Sequence, residues 1–228
     1  MTSVQVTPEQ DSSLRSLLSW LVTILVPVIL VLTGVRLMMT GMFLRIEYSL
    51  PGFPADRYGF TTDDRLYWAD IAVDYLVNTA GIEFLADLRF EDGSPVYNER
   101  ELKHMVDVKN VVNAALSVWL IALGGLLLLT VWARNRDWGE AYRAGLRRGG
   151  WLTVILVGAI ILIVLVSFGV FFVAFHNVFF EPGTWVFYYS DTLIRLFPER
   201  FWRDIFIYVG GFAVLGGLGL GLGFRRKG

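Results

Sequence analysis

The chain has 228 residues, 55% of them hydrophobic and 18% charged, too few charges to cover the surface of a water-soluble domain of this size. With 20 basic and 21 acidic residues and a net charge of −1, it is not a globally basic nucleic-acid binder. The absence of cysteine excludes disulfides, thiolate nucleophiles and Cys-ligated zinc, and with two histidines any imidazole chemistry falls to His104, His176 or both.

Residues 1–16 read as a polar cytoplasmic tail, disordered over its first 13 residues. Residues 17–39 are the first of four runs long and apolar enough to cross about 30 Å of hydrocarbon, for which about 20 helical residues suffice. Pro27 lies inside it, where a membrane helix tolerates a kink. The run exceeds the apolar core of a signal peptide and no A-x-A-like site follows, so an uncleaved anchor is expected. Arg36, near its outer end, either faces a lipid phosphate or snorkels, and snorkelling is commoner; Arg45 has the same two readings.

Residues 40–110 form a long segment with thirteen acidic and seven basic side chains from Thr40 to Lys109. Pro51, Gly52, Pro54 and Gly59 predict a loop over residues 46–60. Thr62 or Asp63 then caps a helix carrying Leu66, Tyr67, Ile71, Tyr75 and Leu76 at helical spacing. A short turn or strand follows, marked by Leu88, Phe90 and Asp92-Gly93. Asn98 with Glu101 three residues later resembles a capping box, and no breaker follows. One helix is therefore expected over residues 99–132, its first three turns projecting from a second span at residues 111–132. His104 and Asp107 share a face of it, so that the Asp107 carboxylate can orient the imidazole, although a solvated helix charge is the simpler role.

The short segment 133–150 carries Arg134, Arg136, Arg143, Arg147 and Arg148. Short basic segments stay cytoplasmic, which puts both termini inside and residues 40–110 and 176–204 outside. The third span is expected at residues 151–175 and the fourth at 205–224, ending in the cytoplasmic residues 225–228 with Arg225, Arg226 and Lys227. Gly210, Gly211, Gly216, Gly217, Gly219, Gly221 and Gly223 give the fourth span G-x-x-x-G spacings; close packing within the bundle explains them more simply than a dimer face. The fold class is an all-α membrane protein: four transmembrane helices under an extracytoplasmic cap built from the long first outer segment and the aromatic-rich second one.

His104 lies seven residues before Val111, about 10 Å outside the second span at 1.5 Å per residue. On a continuous third helix His176 stands about 9 Å beyond the same membrane face. Both imidazoles thus fall at one depth. Singly, each is more simply a solvated or helix-end residue; the coincidence favours a joint role. Between Phe171 and Trp202 there are twelve aromatic residues in 32, more than anchoring four helices needs. Broken by Pro182-Gly183 and Pro198, this stretch predicts a cap able to enclose an acyl chain beside the histidines. Tyr75, Asn177, Trp185 and Asp191 are weaker candidates to line such a site. A zinc site from His104, Asp107 and His176 lacks any metal-binding spacing, and neither a G-x-S-x-G elbow nor a P-loop occurs, so no metal and no cofactor is expected.

Two stretches carry a family resemblance. One is Glu101-Leu102-Lys103-His104-Met105-Val106-Asp107-Val108-Lys109 ahead of a span. The other is Phe175-His176-Asn177-Val178-Phe179-Phe180, continuing through Trp185-Val186-Phe187 and Asp191-Thr192-Leu193-Ile194 to Phe197-Pro198. Together with Asp74-Tyr75 and the four spans, they resemble the bacterial lipoprotein intramolecular transacylases. The resemblance implies a plasma-membrane acyltransferase with its site at the outer face. Histidines matching His104 and His176 would move the sn-2 acyl chain of a diacylglyceryl-cysteine to the cysteine amine, giving a lyso-form lipoprotein. The implied partners are a diacylated lipoprotein substrate and membrane lipids, with no nucleic acid. The main alternative is a non-catalytic membrane module whose cap binds a lipid or partner protein; a different lipid hydrolase is a third.

Overall fold

A computed structural model describes residues 8–135 and 137–223. The start of the expected tail, and Arg136, Arg225, Arg226 and Lys227, lie outside the described residues. Those residues are almost entirely helical: α1 Pro8–Met38, α2 Gly41–Tyr48, α3 Thr62–Val77, α4 Glu83–Ala86, α5 Glu99–Asn135, α6 Gly139–Val166, α7 Phe168–Phe179, α8 Thr192–Leu196 and α9 Glu199–Gly223. Within α1, α5, α6 and α9 lie segments long and apolar enough to cross a membrane.

Several elements differ from expectation. The helix α1 starts at Pro8, within the expected tail, and runs through Pro27. Most of the basic segment 133–150 is helical, because α6 already begins at Gly139. The loop expected from residue 46 begins three residues later: α2 reaches Tyr48, capped by the Thr40 hydroxyl, which accepts from the Phe43 N–H. The third apolar run is two helices. At Ser167 (φ −152°, ψ 73°) the chain leaves helical geometry and restarts as α7. Ser167 and Gly169, both weak helix formers, follow a β-branched run, and hydropathy cannot register a break between two apolar helices. The rise of a continuous helix therefore does not carry through to His176.

The chain divides into two compact units, each with its own core, one built from residues up to Gly34, Val118–Ile160 and from Gly210 onward. Its core holds Val22, Val26, Leu129, Ala133, Trp138 and Leu146. Here glycines set the helix approach. A Cβ on Gly149 would meet Val26 Cβ at 2.6 Å, and one on Gly150 would meet the Gly217 carbonyl oxygen at 2.4 Å and the Gly221 nitrogen at 2.7 Å. Backbone cannot yield as a side chain does, so α6 packs on α1 through one glycine and on α9 through the next, and Gly217 and Gly221 serve packing within the bundle.

The other unit, Val35–Ser117 with Ile161–Val209, is centred on Leu44, Ala69, Ala72, Tyr75, Leu85, Val96, Tyr97, Leu196 and Phe201. A capping box starts α3, one residue earlier than expected: the Asp64 N–H donates to Thr61 Oγ1 (3.1 Å) and the Thr61 N–H to Asp64 Oδ2 (2.8 Å). The turn at Asp92-Gly93 closes an isolated bridge between Arg89 and Pro95, with Gly93 at φ +82°. The loop before α3 is tied to α8 by the part-buried Asp56–Arg195 ion pair (3.0 Å). Burial alone would raise the Asp56 pKa, but Arg195 and the N–H groups of Phe60 and Tyr58 hold it below the usual carboxylate value. Glu47 is fully buried, and burial together with the neighbouring Asp204 carboxylate raises its pKa to about 7.

Candidate active site

His104 stands on the second turn of α5, in the charged opening that precedes the apolar stretch from Val111. The start of that helix is fixed by Glu101. Asn98 caps it, its Oδ1 accepting from the N–H groups of Arg100 and Glu101 at 3.1 Å each, while the Asn98 N–H donates to Glu101 Oε2 at 2.9 Å. The other carboxylate oxygen, Glu101 Oε1, accepts from the Leu193 N–H at 2.7 Å, joining α5 to α8. Glu101 is 1% exposed. One turn later on the same face comes His104, so the anchor that seats Glu101 also sets the imidazole.

His176 lies in the last turn of α7. Its Nδ1 is 2.8 Å from the Phe172 carbonyl oxygen. A carbonyl only accepts, so Nδ1 carries the proton and the neutral ring keeps its lone pair on Nε2.

The two imidazoles come together. Their centroids are 6.3 Å apart and their planes 21° from parallel, and each residue is 8% exposed. Aromatic rings pack directly against both. Phe180 and Phe187 lie 4.9 and 5.3 Å from His104, and Phe172 and Trp185 lie 3.9 and 4.8 Å from His176. His104 Nδ1 and Trp185 Nε1 are buried without a hydrogen-bond partner. A buried polar atom left unpaired costs about 1–3 kcal/mol, so these two are open to a ligand. Two cavities, of about 630 and 270 Å³, are lined by other residues.

The remaining candidates sort differently. Asp107 makes no hydrogen bond to His104 among the described residues; the orienting carboxylate considered from the sequence is not there, because the imidazole faces α7 and the aromatic loop while His104 Nδ1 is unpartnered. Asn177 is exposed. Tyr75 is buried in the core with the Lys109 ammonium 4.0 Å over its ring. Asp191 accepts from Asn98 Nδ2 and pairs with Arg100, both at 3.2 Å, tying the aromatic loop to the start of α5. Among the described residues, Arg36 hydrogen-bonds only to the Met39 carbonyl, at 3.4 Å. Sequence reasoning read Glu101 as a cap alone and did not single out Phe180 and Phe187 as the rings on His104. A glutamate on the histidine's face one turn earlier was the only available signal.

Burial pushes the His104 pKa from its usual 6.5 to about 4, with His176 adding a smaller push in the same direction. Burial also lowers His176, against the pull of its bond to Phe172. Both rings are neutral at pH 7. Below pH 6.5 the unfolded chain binds a proton that folded His104 refuses until about pH 4. Stability is therefore full above 6.5 and declines through that window, by up to about 3 kcal/mol. In detergent, the melting temperature of the wild type is expected to fall more steeply between those pH values than that of His104→Phe. Parallel curves would contradict a buried, neutral His104.

Four helices of membrane-crossing length among the described residues define the class, a multi-pass membrane protein, and within it a pair of imidazoles is held among aromatic rings. The sequence matches the lipoprotein intramolecular transacylase (Lit) family over residues 20–202. The chain belongs to this family, and is an acyltransferase of the membrane. An uncharacterized protein of Aquifex aeolicus is 30% identical over 212 residues, covering 90% of this chain and 92% of its own length. The fold is similar to that of the membrane-integral lipoprotein intramolecular transacylase Lit from Bacillus cereus, with a TM-score of 0.76 at 20% identity over 92% of this chain and 93% of that one. A variant of the Bacillus protein with one histidine replaced by alanine gives 0.74 at 21% identity over 94% of each chain.

Proposed function

We propose that the chain transfers the sn-2 acyl group of a lipoprotein's diacylglyceryl-cysteine to the cysteine α-amine, with His176 as proton carrier and His104 as hydrogen-bond donor to the oxyanion. The observation that carries this reading is the buried, near-parallel histidine pair, in which His176 Nε2 has a lone pair and His104 Nδ1 has no partner. The amine nitrogen attacks the ester carbonyl carbon. As the C–N bond forms, the nitrogen loses a proton to His176 Nε2. The C–O bond to glycerol then breaks, and the same proton returns to the departing alkoxide. An amide and a free hydroxyl result, and the ring is neutral again. Neutral His104, kept uncharged by burial, donates to the carbonyl oxygen as it gains charge, and we assign the Trp185 indole N–H as a second donor. No enzyme nucleophile is required, since donor and acceptor belong to one substrate; holding them together contributes up to about 7–11 kcal/mol in favourable intramolecular cases.

In this reading both termini are cytoplasmic and the histidines act at the outer face of the plasma membrane, a topology supported by the arginine-rich segment 133–150. The test is to express the chain with a reporter lipoprotein in cells lacking other N-acylating enzymes. Mass spectrometry of the N-terminal peptide should show one acyl chain on nitrogen and one ester left on glycerol. Unchanged diacylglyceryl-cysteine, or release of free fatty acid, would refute the transfer.

A further inference from the structure

The cavity of about 630 Å³ lies in the unit that contains α6, among Trp20 and Thr23 of α1, residues 147–155 of α6, and Gly221 and Leu222 of α9. Its polar lining is Arg147, Arg148 and Thr23, whose hydroxyl accepts from Arg148 Nε at 3.4 Å; the remaining walls are apolar. Both are half-buried, and neither has a carboxylate partner among the described residues. Arg148 is fixed in place: it donates to Ser19 Oγ at 2.7 Å and lies 4.4 Å over the Trp20 ring. Arg147 makes no hydrogen bond or ion pair among the described residues. Two guanidinium groups partly withdrawn from water, with no carboxylate counter-charge among the described residues, favour an anion as ligand. Beyond them Trp151, Ile155 and Leu222 continue the groove as exposed apolar surface, in a helix set that crosses a membrane. An anion joined to a long hydrocarbon chain meets both requirements at once.

We propose that this groove holds one anionic phospholipid, its phosphate between Arg147 and Arg148 and an acyl chain along Trp151, Ile155 and Leu222. Guanidinium matches a phosphate through paired donors, and the indoles suit the glycerol level, where an apolar body meets a polar edge. This site is separate from the histidine pair and does not depend on the acyl-transfer reading.

The test is native mass spectrometry of the purified full-length protein supplied with phosphatidylglycerol or phosphatidylcholine. The wild type should retain one phosphatidylglycerol per chain in preference to phosphatidylcholine. Arg147→Gln, which breaks no hydrogen bond or ion pair among the described residues, should lower that retention about fivefold, as expected for one arginine near a membrane phosphate. Ile155→Trp, which fills the apolar end, should abolish it while both arginines stay. Equal retention of the two lipids, or an unchanged Arg147→Gln, would overturn the proposal. Displacement of the lipid by inorganic phosphate alone would also overturn it, by showing that the hydrocarbon contributes nothing.

Discussion

His176→Ala is expected to reduce N-acylated product by a factor of about 10²–10⁴, the usual contribution of a positioned general base, while the protein still folds. The variant removes the Nε2 lone pair and the bond to the Phe172 carbonyl, but that carbonyl lies inside a helix and has alternative donors. His104→Ala is expected to fall in the same range, because with one of its two donors gone the tetrahedral intermediate is undercompensated in an apolar shell. The informative comparison is the double variant. If the rings act as a unit, its loss should barely exceed that of either single change. The reporter assay under each variant, with thermal unfolding as the control for folding, decides the matter. Wild-type product from a folded His176→Ala protein would remove His176 from the chemistry.

Glu101→Ala is expected to be the most damaging single change outside the histidine pair. The carboxylate is buried and accepts from Leu193 and Asn98 backbone N–H groups at 2.7 and 2.9 Å. Alanine leaves the buried Leu193 N–H unpaired, at about 1–3 kcal/mol, and the part-buried Asn98 N–H to water. The cost is offset in part because burial already raises the Glu101 pKa, so the folded protein bears some charge-desolvation cost in the wild type. A net loss of about 1–3 kcal/mol in unfolding free energy is expected. Glu101→Gln retains one acceptor oxygen and should recover about half of it. Product should fall in Glu101→Ala even below the melting transition, because α5 loses its tie to α8 one turn from His104. A Glu101→Ala protein as stable as the wild type would show that α5 and α8 are held by apolar packing alone.

Some features of this fold follow from local sequence and others do not. The Asn98–Glu101 cap and the Asp92-Gly93 turn were legible because their partners sit within four residues of each other. The helix α2 was not, because its cap, Thr40, follows directly on an apolar span and Pro51 and Pro54 beyond it suggested a loop. The break at Ser167 escaped for a different reason: it separates two stretches of the same hydropathy. The three-residue spacing suggested Asp107 as an orienting partner for His104, whereas Glu101, equally spaced, was legible only as a cap; its second oxygen is taken by the Leu193 N–H of α8, a contact that no local spacing shows. Only the packed chain shows which side of a helix is inside.

What the sequence determined by itself is the set of apolar lengths, the restriction of imidazole chemistry to two residues, and the family motifs around them. These depend on composition and short spacings, which each segment carries alone. What the tertiary structure decided is that the two rings meet among Phe172, Phe180, Trp185 and Phe187, and that Arg147 and Arg148 have no carboxylate counter-charge among the described residues. Each of these joins, or fails to join, groups far apart in the chain, and such pairings are selected by the free energy of packing the whole unit rather than by any local preference.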